Sequence, residues 1–126
     1  MAQYNDAEIL EQKAAQDLLG AEILLEKSDE LLDLVGFHLQ QFIEKKMKAS
    51  LNRHGIVYPR THDLRALLRL FPREDVGEDD VMFLHILSRL AVESRYNDYF
   101  APPLDGQQMF DRAVSFAERI ETLWNE

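Results

Sequence analysis

Four polar side chains recur along one stretch of this chain at spacings that place them on a single helical face: His38, Gln41, Lys45 and Lys48. At 100° per residue they fall, together with Asn52, within an arc of roughly 80°. An imidazole, a carboxamide and two ammonium groups in a row can line a groove and offer donors to an anion or a partner. They can equally be a solvated face whose long stems cover neighbouring apolar surface, and the sequence leaves both readings open. Thr61, His62 and Asp63 follow at the mouth of the next helix. The Thr61 hydroxyl is placed to cap that helix, and Asp63 suits the positive end of its dipole. Capping does not need His62, which is left to bond back to the preceding helix or to sit in a cleft. Arg95 and Tyr96 stand near the end of a later helix. There an arginine suits the helix dipole and a tyrosine packs a bundle end, or the two line a shared groove, with the arginine on phosphate.

The elements that must position these groups are helical throughout. Leu10, Ala14, Leu18, Ala21 and Leu25 give a first helix from about 7 to 27, with Asp6 as its expected N-cap. The segment 27–30 reads either as a short break or as a polar turn of a longer segment. A second helix runs from 31 or 34 to 53 and stops before Gly55, which tolerates positive φ. Residues 54–60 form a loop, since Pro59 biases Tyr58 away from helix. A short third helix, capped by Thr61, ends near Phe71. After an acidic loop over 72–79, a fourth helix runs from about 80 to 97 with Phe83, Leu87, Leu90 and Ala91 inward. Ala101 to Gly106 breaks the chain. The last helix, about 107–124, shows Phe110, Ala113, Val114, Ala117, Ile120 and Trp124 at spacings of 3 and 4. Four long helices of roughly 25–33 Å predict an all-α, up-and-down four-helix bundle, with the short helix in a cross-connection. The 126 residues form one domain, with its core over about 7–124.

Composition narrows the function. A net charge of -9 argues against broad, nonspecific nucleic-acid binding, which depends on neutralised phosphates, yet it leaves room for a local basic site. With no cysteine there is neither a disulfide framework nor a thiolate zinc site, so an intracellular, cytoplasmic setting is expected. The start of the chain carries no basic, apolar leader, and no stretch approaches the roughly 20 apolar residues that span a bilayer. His38, His54, His62 and His85 show no zinc spacing, so no metal is expected. The five glycines are scattered and build no phosphate loop, and no other cofactor is indicated.

Taken together, the run Phe37-His38-x-Gln40-Gln41-x-x-Glu44-Lys45-x-x-Lys48-Ala49, the start Thr61-His62-Asp63-Leu64, and Arg95-Tyr96 resemble the HEPN domains. The final amphipathic helix, with Ala113 and Ala117 inside, fits as well. The resemblance spans about 7–124. It implies a small helical bundle, commonly dimeric, with a groove between protomers. It also implies a nucleotidyltransferase-type protein partner, in several cases as toxin and antitoxin, and for some members a bound nucleotide. One large branch of the family cleaves RNA without metal, using an arginine, a gap of roughly four to six residues, and then a histidine. This chain departs from that pattern: Phe100, Ala101 and Pro102 stand where the histidine belongs after Arg95.

The expectation is therefore a homodimeric, non-enzymatic interaction module. It pairs with a nucleotidyltransferase-type protein and binds a nucleotide or other anion in a groove. The residues expected to line that groove are His38, Gln41, Lys45, Lys48, His62, Arg95 and Tyr96. Lys45, Lys48 and Arg95 would face phosphate, while His38, Gln41 and Tyr96 would supply hydrogen bonds or stacking. The alternatives are a metal-independent ribonuclease of toxin–antitoxin type, with Arg95 on the phosphate, and a structural homodimer without ligand.

Overall fold

The computed structural model describes residues 3–27, 31–72, 76–96 and 104–124; the side chains of 3–5 and 93–96 lie outside the described residues. It contains α1 (Gln3–Lys27), α2 (Leu32–Arg53), α3 (Leu64–Leu68), α4 (Glu78–Tyr96) and α5 (Gly106–Arg119), the last continuing as a 3₁₀ turn over Ile120–Trp124. The expected break at 28–30 and the stretch 97–103, which includes Phe100, Ala101 and Pro102, lie outside the described residues.

Cross-helix pairs fix the directions. Asp17 meets His38 and Lys45, while Glu11 meets Lys46 and Arg53, so α1 runs antiparallel to α2. Gly36, early in α2, lies against Leu90, late in α4, so these two are antiparallel as well. Gly106 faces Leu32, and Trp124 bonds to Ser50, so α5 runs parallel to α2. The result is the expected all-α up-and-down bundle, with α3 in the connection. α2 is its axis. Val35, Leu39, Phe42, Ile43, Met47 and Leu51 are all buried, pointing several ways round the helix, because α1, α3, α4 and α5 all pack on it. The small side chains Ala7, Ala14 and Ala21, seven residues apart and buried, form a shallow face of α1.

Several boundaries differ from the sequence expectation for local reasons. Asp6 lies inside the first turn of α1, where its charge suits the dipole, and is not the cap before it. The cap of α3 is Asp63, whose carboxylate accepts from the Arg65 N–H at 3.0 Å. The Thr61 hydroxyl instead accepts from the Asp63 N–H at 3.0 Å, tightening the turn before the cap. Gly55, at φ 73°, ends α2 in a Schellman motif: its N–H bonds to Asn52 O, and that of Ile56 to Leu51 O. On α5 the fully buried line is Met109, Ala113, Phe116, Ile120 and Leu123. Phe110, Val114, Ala117 and Trp124 sit one position round the helix and are half-buried, as is Ala91 on α4. α5 begins with a reciprocal capping box between Asp105 and Gln108.

Two polar clamps close the bundle. Asp80, in the first turn of α4, takes both Arg119 guanidinium nitrogens at 2.8 and 3.0 Å. Those bonds hold its carboxyl below the ordinary carboxylate range despite burial, helped by the Arg119 and Arg112 charges. At the other end, the Trp124 indole N–H donates to Ser50 Oγ at 2.7 Å, and Ser50 donates to Glu121 at 2.5 Å. His54 stacks on Trp124 with ring centroids 3.8 Å apart. Burial alone would raise the Glu121 carboxyl, but the bonds from Ser50 and His54 and the nearby charges of Arg53 and His54 bring it below its ordinary value.

Candidate functional site

The polar stripe of α2 is neither plainly solvated nor an open row of cations. It is folded against two carboxylates. Asp17 of α1 accepts from Lys45 Nζ and lies 3.0 Å from His38 Nδ1. Glu44 of α2 itself, only 3% exposed, lies 3.0 Å from Lys48 Nζ. The ammonium groups of Lys45 and Lys48 are thus each matched within the chain, where the sequence expectation had both facing phosphate. A chain of carboxamides joins the two centres. Lys45 donates to Gln41 Oε1 at 3.3 Å, Gln41 Nε2 to Gln40 Oε1 at 2.7 Å, and Gln40 Nε2 to Glu44 at 3.1 Å.

Glu44 also organises His62. Nδ1 of that ring lies 3.1 and 3.0 Å from the two Glu44 oxygens. Gln40 Nε2 donates to the His62 carbonyl at 2.9 Å, which fixes the backbone as well. A carboxylate only accepts, so the ring must carry its proton on Nδ1, leaving Nε2 to face outward. The contrast in exposure is large: the Glu44 side chain is 4% exposed and that of His62 79%.

His62 borders a shallow groove of about 280 Å³, lined also by Gln40, Gln41, Asp63, Ser88, Ala91 and Val92. Its floor is the α2 ridge, one end is the start of α3, and its apolar wall is α4. Five sequence-expected residues, His38 among them, therefore separate into two groups. Gln41 and His62 line the groove; Lys45 and Lys48 stand behind it in their ion pairs, Lys45 sharing Asp17 with His38. Arg95 lies seven positions after Ser88, two turns further along α4, but its side chain and that of Tyr96 lie outside the described residues.

Three residues that organise the site were not among the candidates: Asp17, Gln40 and Glu44. Asp17 had a legible signal. Leu10, Asp17 and Leu24 are seven apart on α1, beside the buried line Ala7, Ala14 and Ala21, so an acid stands where the helix repeat calls for leucine. Gln40 and Glu44 continue the i+4 ridge from Gly36, the same ridge that meets α4. Nearby, burial raises the Tyr58 phenol above its ordinary value, with the Asp6 and Glu44 charges adding to the effect, while Lys48 lies 5.7 Å from its ring centroid.

The site can make directional hydrogen bonds and pack an apolar edge on α4. Among the described residues no group of His, Asp and Glu is arranged to hold a metal ion. None of the described helices is long and apolar enough to cross a membrane. A family model, that of the HEPN domain, matches residues 7–126. No curated protein and no solved structure is similar enough to count as a match.

Proposed function

Because this chain belongs to the HEPN domain family, matched over residues 7–126, we propose that it acts as a homodimeric interaction module. In this reading it pairs with a nucleotidyltransferase-type protein and binds a nucleotide in the groove between α2, α3 and α4. The observation that carries it is the meeting of Gln41 and His62 with the Ser88, Ala91 and Val92 wall in one slot. With Lys45 and Lys48 matched by Asp17 and Glu44, such a slot selects by hydrogen bonding and shape, and so takes the nucleoside part of the ligand. Arg95, further along α4, is the residue assigned to the phosphate. His38, Lys45 and Lys48 act behind the slot by holding the α2 ridge in place.

Three measurements test this reading. Affinity capture of the protein from its native cells should retain a stoichiometric nucleotidyltransferase-like chain, and a clean self-assembly would remove the partner. Light scattering should report twice the 14.7 kDa chain mass, whereas a mass near 14.7 kDa would remove the dimer. Nucleotides should raise the melting temperature of the parent protein. That rise should shrink in Gln41→Ala and Arg95→Ala more than in Lys45→Ala. No rise with any nucleotide would end the groove reading.

A further inference from the structure

We propose that a small cavity at the C-terminal end of α2 binds a primary alkylammonium group, the end of a polyamine or of a lysine side chain, through Asp6 and Asn52. The cavity measures about 160 Å³ and is lined by Asp6, Asn52, Gly55, Ile56, Val57 and Tyr58. It shares no lining residue with the groove between α2, α3 and α4 and does not rest on the nucleotide reading. Its size is below the roughly 300–1,000 Å³ of a pocket that encloses a whole small molecule. It therefore suits an end group, and Val57, 83% exposed, leaves the rim open to the rest of a longer chain.

Two acceptors in its wall lack donors. Asn52 Oδ1 is buried and has no hydrogen-bond partner, the one such side-chain atom among the described residues. Buried acceptors are almost always bonded, and an orphan carries a desolvation cost that a donor removes. The last torsion of an asparagine is soft, so Oδ1 can turn towards a donor in the cavity. The Asp6 carboxylate, half-buried in the first turn of α1, pairs with no cation among the described residues.

The local field favours a cation. Burial raises the Tyr58 phenol, and the charges of Asp6 and Glu44 raise it further, so the potential along this wall is negative. α2 ends here at Arg53 and brings the negative end of its dipole. The start of α1 adds about half a positive charge, which the full charge of Asp6 outweighs. The cations already at this end of α2 are engaged elsewhere. Lys48, 5.7 Å from the Tyr58 ring centroid, is held by Glu44 at 3.0 Å. Arg53 is turned to Glu11 and Glu121, and His54 stacks on Trp124. An anion is repelled by this set. A primary ammonium brings three donors and a point charge on a narrow stem, which suits two oxygen acceptors in a small space better than a planar guanidinium does.

The test uses the full chain, uniformly isotope-labelled and followed by NMR at fixed ionic strength. It is titrated with spermidine and, separately, with Nα-acetyl-lysine amide; tetramethylammonium is the control, with the charge but no donor. Both amines should give saturable shifts at the Asn52 side-chain amide and at the Gly55 and Tyr58 N–H groups, and tetramethylammonium none. Asp6→Asn and Asn52→Ala should each weaken binding about tenfold or more, the worth of one charge-assisted hydrogen bond. Glu8→Gln removes an exposed charge near the start of α1 without touching the cavity, and should change binding less than about twofold. The spectrum shows whether each variant is folded, and either cavity variant carries the test if the other is not. Saturable shifts with spermidine alone assign the site to a free polyamine, and with the lysine derivative alone to a side chain of a protein partner. No saturable shift with either amine, equal shifts with tetramethylammonium, or equal losses in Glu8→Gln and Asp6→Asn overturns the proposal.

Discussion

Glu44→Ala is the most revealing change in this protein. It removes the acceptor for three donors at once: Lys48 Nζ, Gln40 Nε2 and His62 Nδ1. Breaking one side of a buried ion pair typically costs about 3–5 kcal/mol, because the other charge stays behind without a partner. Here the Lys48 side chain retains 14% exposure, so its ammonium can turn partly towards water. The lower end of that range, ~3 kcal/mol, is therefore expected. At roughly 3–5 °C per kcal/mol for a chain of this size, melting should fall by ~9–15 °C. Urea denaturation followed by circular dichroism, at fixed protein concentration so that assembly does not intrude, reads the difference directly. The double change Glu44→Leu with Lys48→Met removes both charges and fills the space, so it should lie within about 1 kcal/mol of the parent. A loss below about 1 kcal/mol for Glu44→Ala, the level of an exposed ion pair, would refute the claim that this carboxylate anchors the site.

Three further outcomes are expected. Gly36→Ala places a Cβ 2.5 Å from Leu90 Cδ1 and 2.7 Å from Leu90 Cβ, which no rotamer change relieves. Overpacking of about 1–3 kcal/mol set against about 1 kcal/mol of helix propensity leaves a net loss of up to ~2 kcal/mol, and a stabilised variant would contradict the close α2–α4 approach. Asp80 and Glu121 both have folded-state pKa values below their ordinary ones. Each thus contributes stability above its unfolded value, about pH 4, and loses it as the pH falls through the lower folded value. Asp80→Asn should accordingly melt below the parent at neutral pH, with the gap closing on acidification; a gap constant with pH would contradict the Arg119 clamp. Trp124 is the single tryptophan. Ser50→Ala, which orphans its indole N–H, should cost about 1 kcal/mol and shift its emission to the red, and unchanged emission would refute the bond.

The helices were legible because they depend on periodicity within one segment. Gly55, Asp105 and the Pro59 loop mark their ends by local chemistry that any reader of the sequence can apply. The register of α5 was less legible. Phe110, Val114 and Ala117 are as apolar as Met109, Phe116 and Leu123, so spacing alone does not say which line faces α2. The site was the least legible part, because its meaning lies between helices. Lys45 and Lys48 read as available cations until Asp17, 28 residues earlier, and the buried rotamer of Glu44 are brought beside them. His62 showed itself only by being superfluous to the cap. What it faces became clear when Glu44 and α4 were in place.

The central position of α2 also sets the order in which the chain assembles. Its contacts with α1 join residues 21 to 42 positions apart, through a connection of a few residues. Its contact with Trp124 joins residues 74 apart, and that with Glu121 residues 71 apart. Loop-closure entropy favours the shorter connection, so the α1–α2 hairpin forms first and the C-terminal turn docks last. The tryptophan is thereby a clock for the final step. In stopped-flow refolding, helical ellipticity should lead and indole fluorescence should follow. In unfolding the same turn should release first, ahead of the ridge that holds Glu44 and His62.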